Sequence, residues 1–298
     1  MELNNRDGIL HISLLEGQAR AILIESTAMV QRAKETHGLS KIATAALGRT
    51  LTATGMLGSM LKGRDESVTA TIRGGGPIGT VLAVSGSDCC VKGYVDNPAV
   101  DLPRIGPKLP VGAAVGREGR LSVIKDLRLR EPYVGQVNLV SGEIAEDFAM
   151  YFTASEQTPS LVSLGVLVSD EKVEAAGGLI VQLMPGASEA AIRSIEASAG
   201  MFTDISGTMK AYHLDGAVGQ LLAHLQPEVL ERREIRYACD CSRERVERAL
   251  ITLGPGELND MIETQHGAKV DCHFCNKRYV FSEDDLRTLM ASAAAPKD

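Results

Sequence analysis

The chain has 298 residues, of which 44% are hydrophobic and 23% are charged. A chain of this length can bury one substantial core and one or two smaller units. Its formal net charge of -7 gives no general attraction to phosphate backbones, which disfavours nucleic acid as a main partner.

The N-terminal stretch MELNNRDGILHISLL lacks the cationic region, the long apolar region and the cleavage site of a secretory signal. We therefore expect a cytoplasmic location. In that reducing compartment, clustered cysteines are usually metal ligands or redox groups rather than permanent structural bridges.

A long and nearly uncharged stretch runs from Leu39 to Leu61, with Arg49 at its middle among threonines and glycines. An arginine at the centre of a membrane span is costly. The stretch therefore predicts a buried helix in a soluble core, in which small residues let neighbouring elements approach closely, and not a transmembrane span.

Strand-like runs follow this helix and are separated by Gly, Pro and Asn. Val68, Ala70 and Ile72 share one face of SVTATIRG at period two, and IGTVLAVSG, CVKGYVDNP, VGAAVG and LSVIKDLRL come next. A helix is predicted over 143–154, followed by strands in SLVSLGVLVS and GGLIVQLMPG. We expect a mixed α+β protein whose N-terminal domain, residues 1–180, packs the long helix on an antiparallel sheet.

After residue 180 the pattern changes to short helices with turns between them. Apolar residues recur at helical spacing in two runs, Ile192, Ile195 and Ala199, then Val218, Leu221, Leu222 and Leu225. Each predicted helix has about ten residues, whereas an isolated helix needs roughly 12 to 15 to be stable in water. We interpret residues 181–232 as a helical linker that is stable only while it is packed.

Residues 233–298 are predicted to form a small C-terminal domain. Ser242 is placed to cap a helix that ends at Gly254, a second helix closes near Gly267, and strands in AKVDC and KRYVF precede a final helix. Ser282 and Asp285 have the spacing of a capping box for that last helix. The domain has few large apolar residues, and its core is therefore weak. We expect an additional cross-link to stabilise it.

Four cysteines in this domain form two close pairs, Cys239 with Cys241 and Cys272 with Cys275. Two such pairs can place four sulfurs at the corners of a tetrahedron, which is the geometry that zinc takes from thiolates. We expect one Zn²⁺ per chain. A shell of four thiolates leaves no open position for catalysis.

The C-x-C spacing of the first pair is unusual for a structural zinc ribbon, because its two sulfurs are close enough to join in a short, strained ring. Strained disulfides tend to be labile or regulatory. Oxidation to Cys239–Cys241 and Cys272–Cys275 would consume the thiolates that hold the metal, and losing roughly 10 kcal/mol of zinc binding would unfold a small domain.

The combination of CDC, about thirty intervening residues and CHFC at the end of a chain of 31.7 kDa resembles the redox-regulated heat-shock protein 33 chaperones. The resemblance covers the whole chain. It implies a non-enzymatic, ATP-independent holdase that is inactive when it is reduced and zinc-bound. Oxidative stress would form both disulfides, release zinc, unfold the linker and expose a surface for unfolding client proteins, typically in a homodimer.

The remaining histidine, cysteine and glycine motifs are not expected to bind a metal or a nucleotide. His266 and His273 are expected outside the metal shell, because four thiolates complete it. Cys89 and Cys90 are adjacent, so in a strand they point to opposite faces and are expected to be ordinary small residues. RGGGPIG, with Gly74, Gly76 and Gly79, predicts a turn between strands and no nucleotide site, because no helix pattern follows it.

Two functions from other classes stay open on the sequence. The first is a nucleic-acid-binding protein with a structural zinc ribbon, which the net charge and the C-x-C spacing disfavour. The second is a thiol-disulfide oxidoreductase, which two cysteine pairs sharing one metal fit less well.

Overall fold

A computed structural model describes residues 7–103, 106 and 108–294. The chain divides into two compact units, Met1–Ala238 and Cys239–Asp298. Residues 181–232 lie within the first unit, and their predicted role as a metastable linker stays a prediction.

Two antiparallel sheets form the framework of the first unit. The five-stranded sheet has the order β10-β1-β2-β9-β8, with β1 at Gly8–Leu14, β2 at Ala19–Glu25, β8 at Ser160–Val168, β9 at Val173–Leu183 and β10 at Glu228–Glu234. The six-stranded sheet has the order β11-β5-β4-β3-β6-β7, with β3 at Ser67–Arg73, β4 at Thr80–Gly86, β5 at Cys90–Val95, β6 at Arg120–Asp126, β7 at Tyr133–Asn138 and β11 at Arg236–Tyr237. Among the strands of the described residues, the short β11 alone pairs in parallel, with β5.

The helices of the first unit are α1 at Thr27–His37, α2 at Lys41–Ser59, α3 at Val111–Val115, α4 at Ala145–Ala154, α5 at Glu189–Ser198 and α6 at Ile205–Leu222. Helix α2 contacts β4 and β5 of one sheet and β8 and β9 of the other. The predicted α+β architecture, with the long helix packed on a sheet, is confirmed.

Helix α2 can be almost entirely buried because its buried hydroxyl groups have partners and its glycines leave room. The Ser40 hydroxyl caps it by accepting from Ala43 N at 3.1 Å, and the buried Thr50 and Thr54 hydroxyls donate to carbonyls one turn back. A Cβ on Gly58 would lie 2.1 Å from Ser85 Oγ. Within the described residues, no helix is long and apolar enough to cross a membrane.

One predicted strand is wrong, because VGAAVG forms helix α3 after Pro110. A run of six small residues does not distinguish a strand from a buried helix. The helix is fixed by long-range contacts, since Gly76 N and Ile78 N donate to the carbonyls of Val115 and Ala114. The RGGGPIG segment is the turn between β3 and β4, as predicted.

Strands β1, β2, β7 and β10 and helix α1 are absent from the sequence prediction. Strand β10 had the weakest signal: in EVLERRE every side chain except the half-buried Arg233 is exposed. It is the edge strand of its sheet, where backbone pairing with β1 does not need an apolar face.

The segment 181–232 covers one face of the five-stranded sheet. Helix α6 is broken at His213, whose φ of 54° and ψ of -174° are not helical. The buried Glu25 carboxylate accepts from Leu214 N and contacts His213 Nδ1, both at 2.9 Å, so it caps the second half of the helix. Apolar residues of this segment pack against the sheet, namely Ile195, Phe202, Ile205, Met209, Leu214, Ala217, Leu221, Leu222 and Leu225.

The second unit contains α7 at Arg243–Thr252, α8 at Pro255–Gln265, a hairpin of β12 at Ala268–Asp271 and β13 at Arg278–Phe281, and α9 at Glu283–Ala294. The predicted caps are confirmed: Ser242 Oγ accepts from Arg245 N, and Ser282 and Asp285 cap α9 reciprocally. Among the described residues of this unit, seven apolar side chains form a buried core, namely Leu250, Leu258, Ile262, Ala268, Tyr279, Phe281 and Leu286.

Candidate metal and redox centre

Two local structures bring the four cysteines together. Cys239 and Cys241 lie in the extended segment just before α7. Cys272 and Cys275 lie in the turn of the β12–β13 hairpin, where Cys275 N and Asn276 N donate to the Cys272 carbonyl and Cys272 N donates to the Lys277 carbonyl. Asn276 takes a left-handed φ of 58°, which lets the chain turn back tightly.

The four sulfur atoms lie within 4.8 Å of one another. Cys239 Sγ is 3.7 Å from Cys272 Sγ, and Cys241 Sγ is 3.4 Å from Cys275 Sγ. A tetrahedral zinc–thiolate site with Zn–S bonds of about 2.3 Å has sulfur–sulfur edges of about 3.8 Å. The donor set and its spacing therefore fit Zn²⁺.

The Tyr279 hydroxyl donates to Cys241 Sγ at 3.1 Å. Burial alone would raise the pKa of the Cys241 thiol, but the hydrogen bonds from Tyr279 and from the neighbouring thiols lower this pKa to about 7. Burial raises the pKa of Cys239 and of Cys275. The hydrogen bonds thus favour the thiolate at Cys241, and a divalent cation would stabilise several thiolates side by side.

Comparisons with known proteins cover both units. The family model described as "Hsp33 protein" matches residues 7–282, which include all four cysteines. The chain belongs to the Hsp33 family. The 33 kDa chaperonin of Clostridioides difficile (strain 630) is 47% identical over 287 residues, covering 96% of this chain and 99% of that protein.

Two further relatives agree with this membership in the Hsp33 family. The 33 kDa chaperonin of Acetivibrio thermocellus is 47% identical over 288 residues, covering 95% of this chain and 97% of that protein. The crystal structure of the 33 kDa chaperonin from Thermotoga maritima has a TM-score of 0.86 and 38% identity, covering 96% of this chain and 98% of that one. The chain is therefore a chaperone of the Hsp33 family.

The two histidines near the cysteines of this Hsp33 family member lie outside the cluster. Among the described residues, the potential metal donors that converge are the four sulfurs. His266 Nδ1 instead contacts Glu283 Oε1 at 2.9 Å on the surface, and His273 is exposed.

Cys89 and Cys90 lie in the first unit, at the start of β5. Cys89 is buried, and burial raises the pKa of its thiol. Burial and the Asp88 carboxylate raise the pKa of Cys90 to about 11. Both thiols are therefore protonated near neutral pH, which makes them poor nucleophiles and agrees with their interpretation as small residues.

Sequence reasoning missed Tyr279 as a partner of the centre. In KRYVF it reads as an inward-facing strand residue, and it is indeed buried. Its hydroxyl reaches Cys241, which lies 38 residues earlier in the chain. Such a contact depends on the fold and has no local signal.

Proposed function

We propose that this Hsp33 family chaperone is a redox-switched, ATP-independent holdase, inactive when reduced and zinc-bound and active after oxidation. The observation that carries the proposal is the convergence of four cysteine sulfurs within 4.8 Å in a unit whose described residues include seven buried apolar ones. The function is non-enzymatic, and unfolding proteins are the clients.

Cys239, Cys241, Cys272 and Cys275 would hold the metal. When bound, Zn²⁺ supplies positive charge that keeps four thiolates stable side by side. Those thiolates are also the form that oxidants attack. The metal-bound cysteines that stabilise the second unit would therefore also be the groups that oxidants attack.

Oxidation would convert four thiolates into two disulfides with the loss of four electrons. Two molecules of hydrogen peroxide accept these electrons and, with four protons, become four waters. The proposed pairs are Cys239–Cys241 and Cys272–Cys275, on the family resemblance. The shortest sulfur contacts, Cys239–Cys272 and Cys241–Cys275, do not by themselves select a pairing, so peptide mapping of the oxidised chain has to establish it.

The linker part of the proposal is supported by the packing of 181–232. Its buried apolar residues and the sheet face of β1, β2 and β9 cover each other, so undocking this segment would expose both surfaces at once. The interrupted helix α6 and the exposed edge strand β10 have little stability of their own. We propose that this region unfolds on activation and that the active form is a cytoplasmic homodimer.

Light scattering of a thermally unfolding client tests the proposal. The full chain is added either reduced and zinc-loaded or after treatment with peroxide at raised temperature, and sedimentation gives the oligomeric state of each form. Suppression of aggregation only by the oxidised form is expected. Equal suppression by both forms would rule out the switch, and catalytic turnover of a disulfide substrate would favour an oxidoreductase instead.

A further inference from the structure

A basic pocket of about 590 Å³ lies on the first unit. Strands β1, β2 and β10 and the loop after α2 contribute to it. Its cationic lining residues are Arg20, Lys62, Arg64 and Arg233, and Glu231 is the single carboxylate among its described lining residues. This local excess of positive charge contrasts with the net charge of -7 of the chain.

Two of these cations are held in place by neutral acceptors. Arg20 Nε donates to the side-chain oxygen of Gln182 at 2.8 Å. The Arg233 guanidinium donates to the backbone carbonyls of Ser59 and Ser87. Neutral acceptors orient a guanidinium without cancelling its charge, and Arg233 has only a long contact of 3.8 Å with Glu231.

The other two cations, Lys62 and Arg64, project from the exposed loop after α2. The loop also carries two acids, Asp65 and Glu66, and the Glu66 carboxylate accepts from the Lys62 backbone N–H. In the part of the chain that the structure describes, neither side chain forms an ion pair. Their charges are available to a ligand.

The floor of the pocket does not repel an anion strongly. The C-terminal end of α2 points its carbonyls there and carries partial negative charge, but Arg233 donates to the Ser59 carbonyl. His11 contacts Ser59 Oγ at 3.0 Å, and burial lowers the pKa of its imidazole. The half-buried Met60 and Leu61 line the wall, and an apolar wall strengthens charge interactions.

We propose that this pocket binds a small polyanion that carries two or three linked phosphate groups. Arginine guanidinium groups match phosphate oxygens in bidentate geometry. The four cations come from three separate elements, so a linked di- or triphosphate can contact more of them than one orthophosphate can. Inorganic polyphosphates and nucleoside polyphosphates share this chemistry.

Such a ligand would connect the loop after α2 to β10, whose residues 228–232 end the segment 181–232. Binding to the docked form alone stabilises it by mass action. The bound anion would thus favour the form in which 181–232 is packed. The binding itself does not depend on the redox switch.

Isothermal titration calorimetry on the full-length, reduced and zinc-loaded chain tests the pocket, with inorganic tripolyphosphate as the probe at an ionic strength of about 0.15 M. Separate titrations use ATP and orthophosphate. Saturable tripolyphosphate binding that is tighter than orthophosphate binding is expected. If ATP binds more tightly than tripolyphosphate, the ligand class is nucleoside polyphosphates. If the two bind with equal affinity, the pocket recognises the phosphate groups alone.

The double variant Lys62→Gln, Arg64→Gln should weaken tripolyphosphate binding at least about tenfold, because charged hydrogen bonds are lost. Arg117→Gln, Arg130→Gln is the matched control, since both residues are exposed and lie outside the pocket, and its affinity should stay within about twofold. Equal weakening in both variants would overturn the proposal, as would the absence of saturable binding. A heat of titration that arises only with the release of zinc, and that is the same in the Lys62→Gln, Arg64→Gln variant as in the wild type, would also overturn it.

Discussion

The two units of this chain achieve stability by different means. The first unit buries apolar side chains in two large clusters, one around α2 and one under α5 and α6. The second unit, as far as its side chains are described, has seven buried apolar residues and a cluster of four cysteines. A core of the first kind responds to heat and denaturant, whereas a metal-tethered core also responds to chelators and oxidants. Under the proposed function, the second unit is the one that chelators and oxidants unfold, whereas the first unit outside 181–232 depends on apolar packing.

The largest expected effect is the removal of one metal ligand. Cys272→Ser should abolish zinc binding and unfold the second unit even in reductant, because about 10 kcal/mol of metal binding is lost. Zinc analysis and limited proteolysis measure the two effects, and the first unit outside residues 181–232 should stay resistant. Cys90→Ser is the matched control, because its thiol lies outside the cluster. A Cys272→Ser chain that keeps stoichiometric zinc and full protease resistance would contradict the claim that metal binding by the four cysteines stabilises the second unit.

A core substitution in the second unit should have a smaller effect. Phe281 is 1% exposed, and Phe281→Ala should lower the free energy of unfolding of this unit by about 3 to 5 kcal/mol. Metal binding should still keep it folded, so the variant should release zinc at lower denaturant concentration without losing it in buffer. Val280→Ala, next in sequence and 55% exposed, should change little. Equal effects would mean that apolar packing contributes little to this unit.

The first unit should have a pH dependence of its own. Burial raises the pKa of Asp7 to about 7, and the nearby Glu25 carboxylate adds to the increase. Hydrogen bonds from the backbone N–H groups of Ala28 and Met29 lower this pKa but do not outweigh burial. The folded state therefore binds the proton more tightly than the unfolded state, so this contribution to stability is present below about pH 4 and is lost as the pH rises through 7.

Asp7→Asn removes this titration. Between pH 5 and pH 8, the free energy of unfolding of the wild-type first unit should fall by about 3 kcal/mol relative to the variant. Denaturant unfolding monitored by hydrogen exchange in α1 and β2 gives this difference without interference from the second unit. Parallel pH profiles for the two proteins would contradict the assignment.

The smallest expected effect concerns the centre itself. Tyr279→Phe removes the hydrogen bond to Cys241 Sγ, so the pKa of this thiol in the metal-free chain should rise by about one unit. The pH dependence of alkylation at Cys241, followed by mass spectrometry, measures the shift. An unchanged profile would show that the neighbouring thiols alone stabilise the Cys241 thiolate.

Local signals predicted the parts of the molecule that carry strong patterns. Helix α2, the strands from β3 to β6, the caps at Ser242 and Ser282 and the convergence of the four cysteines follow from periodicity, capping chemistry and spacing. The VGAAVG strand failed because six small residues fit either structure, and long-range backbone hydrogen bonds decide for the helix.

Features that depend on partners distant in sequence could not be predicted. Strand β10 is polar and exposed, and only pairing with β1, more than 200 residues earlier, makes it a strand. The contact of Tyr279 with Cys241 and the cap that Glu25 provides to α6 are of the same kind. The metastability of 181–232 and the disulfide pairing remain predictions.

The central claim is that one set of four sulfurs both tethers the second unit and senses oxidant. Counting free thiols and released zinc together during peroxide treatment of the full chain tests it most directly. The account predicts the loss of four thiols for each zinc released, in step with the loss of protease resistance in the second unit. Zinc that stays bound while those thiols are oxidised, or a second unit that stays folded after zinc leaves, would contradict it.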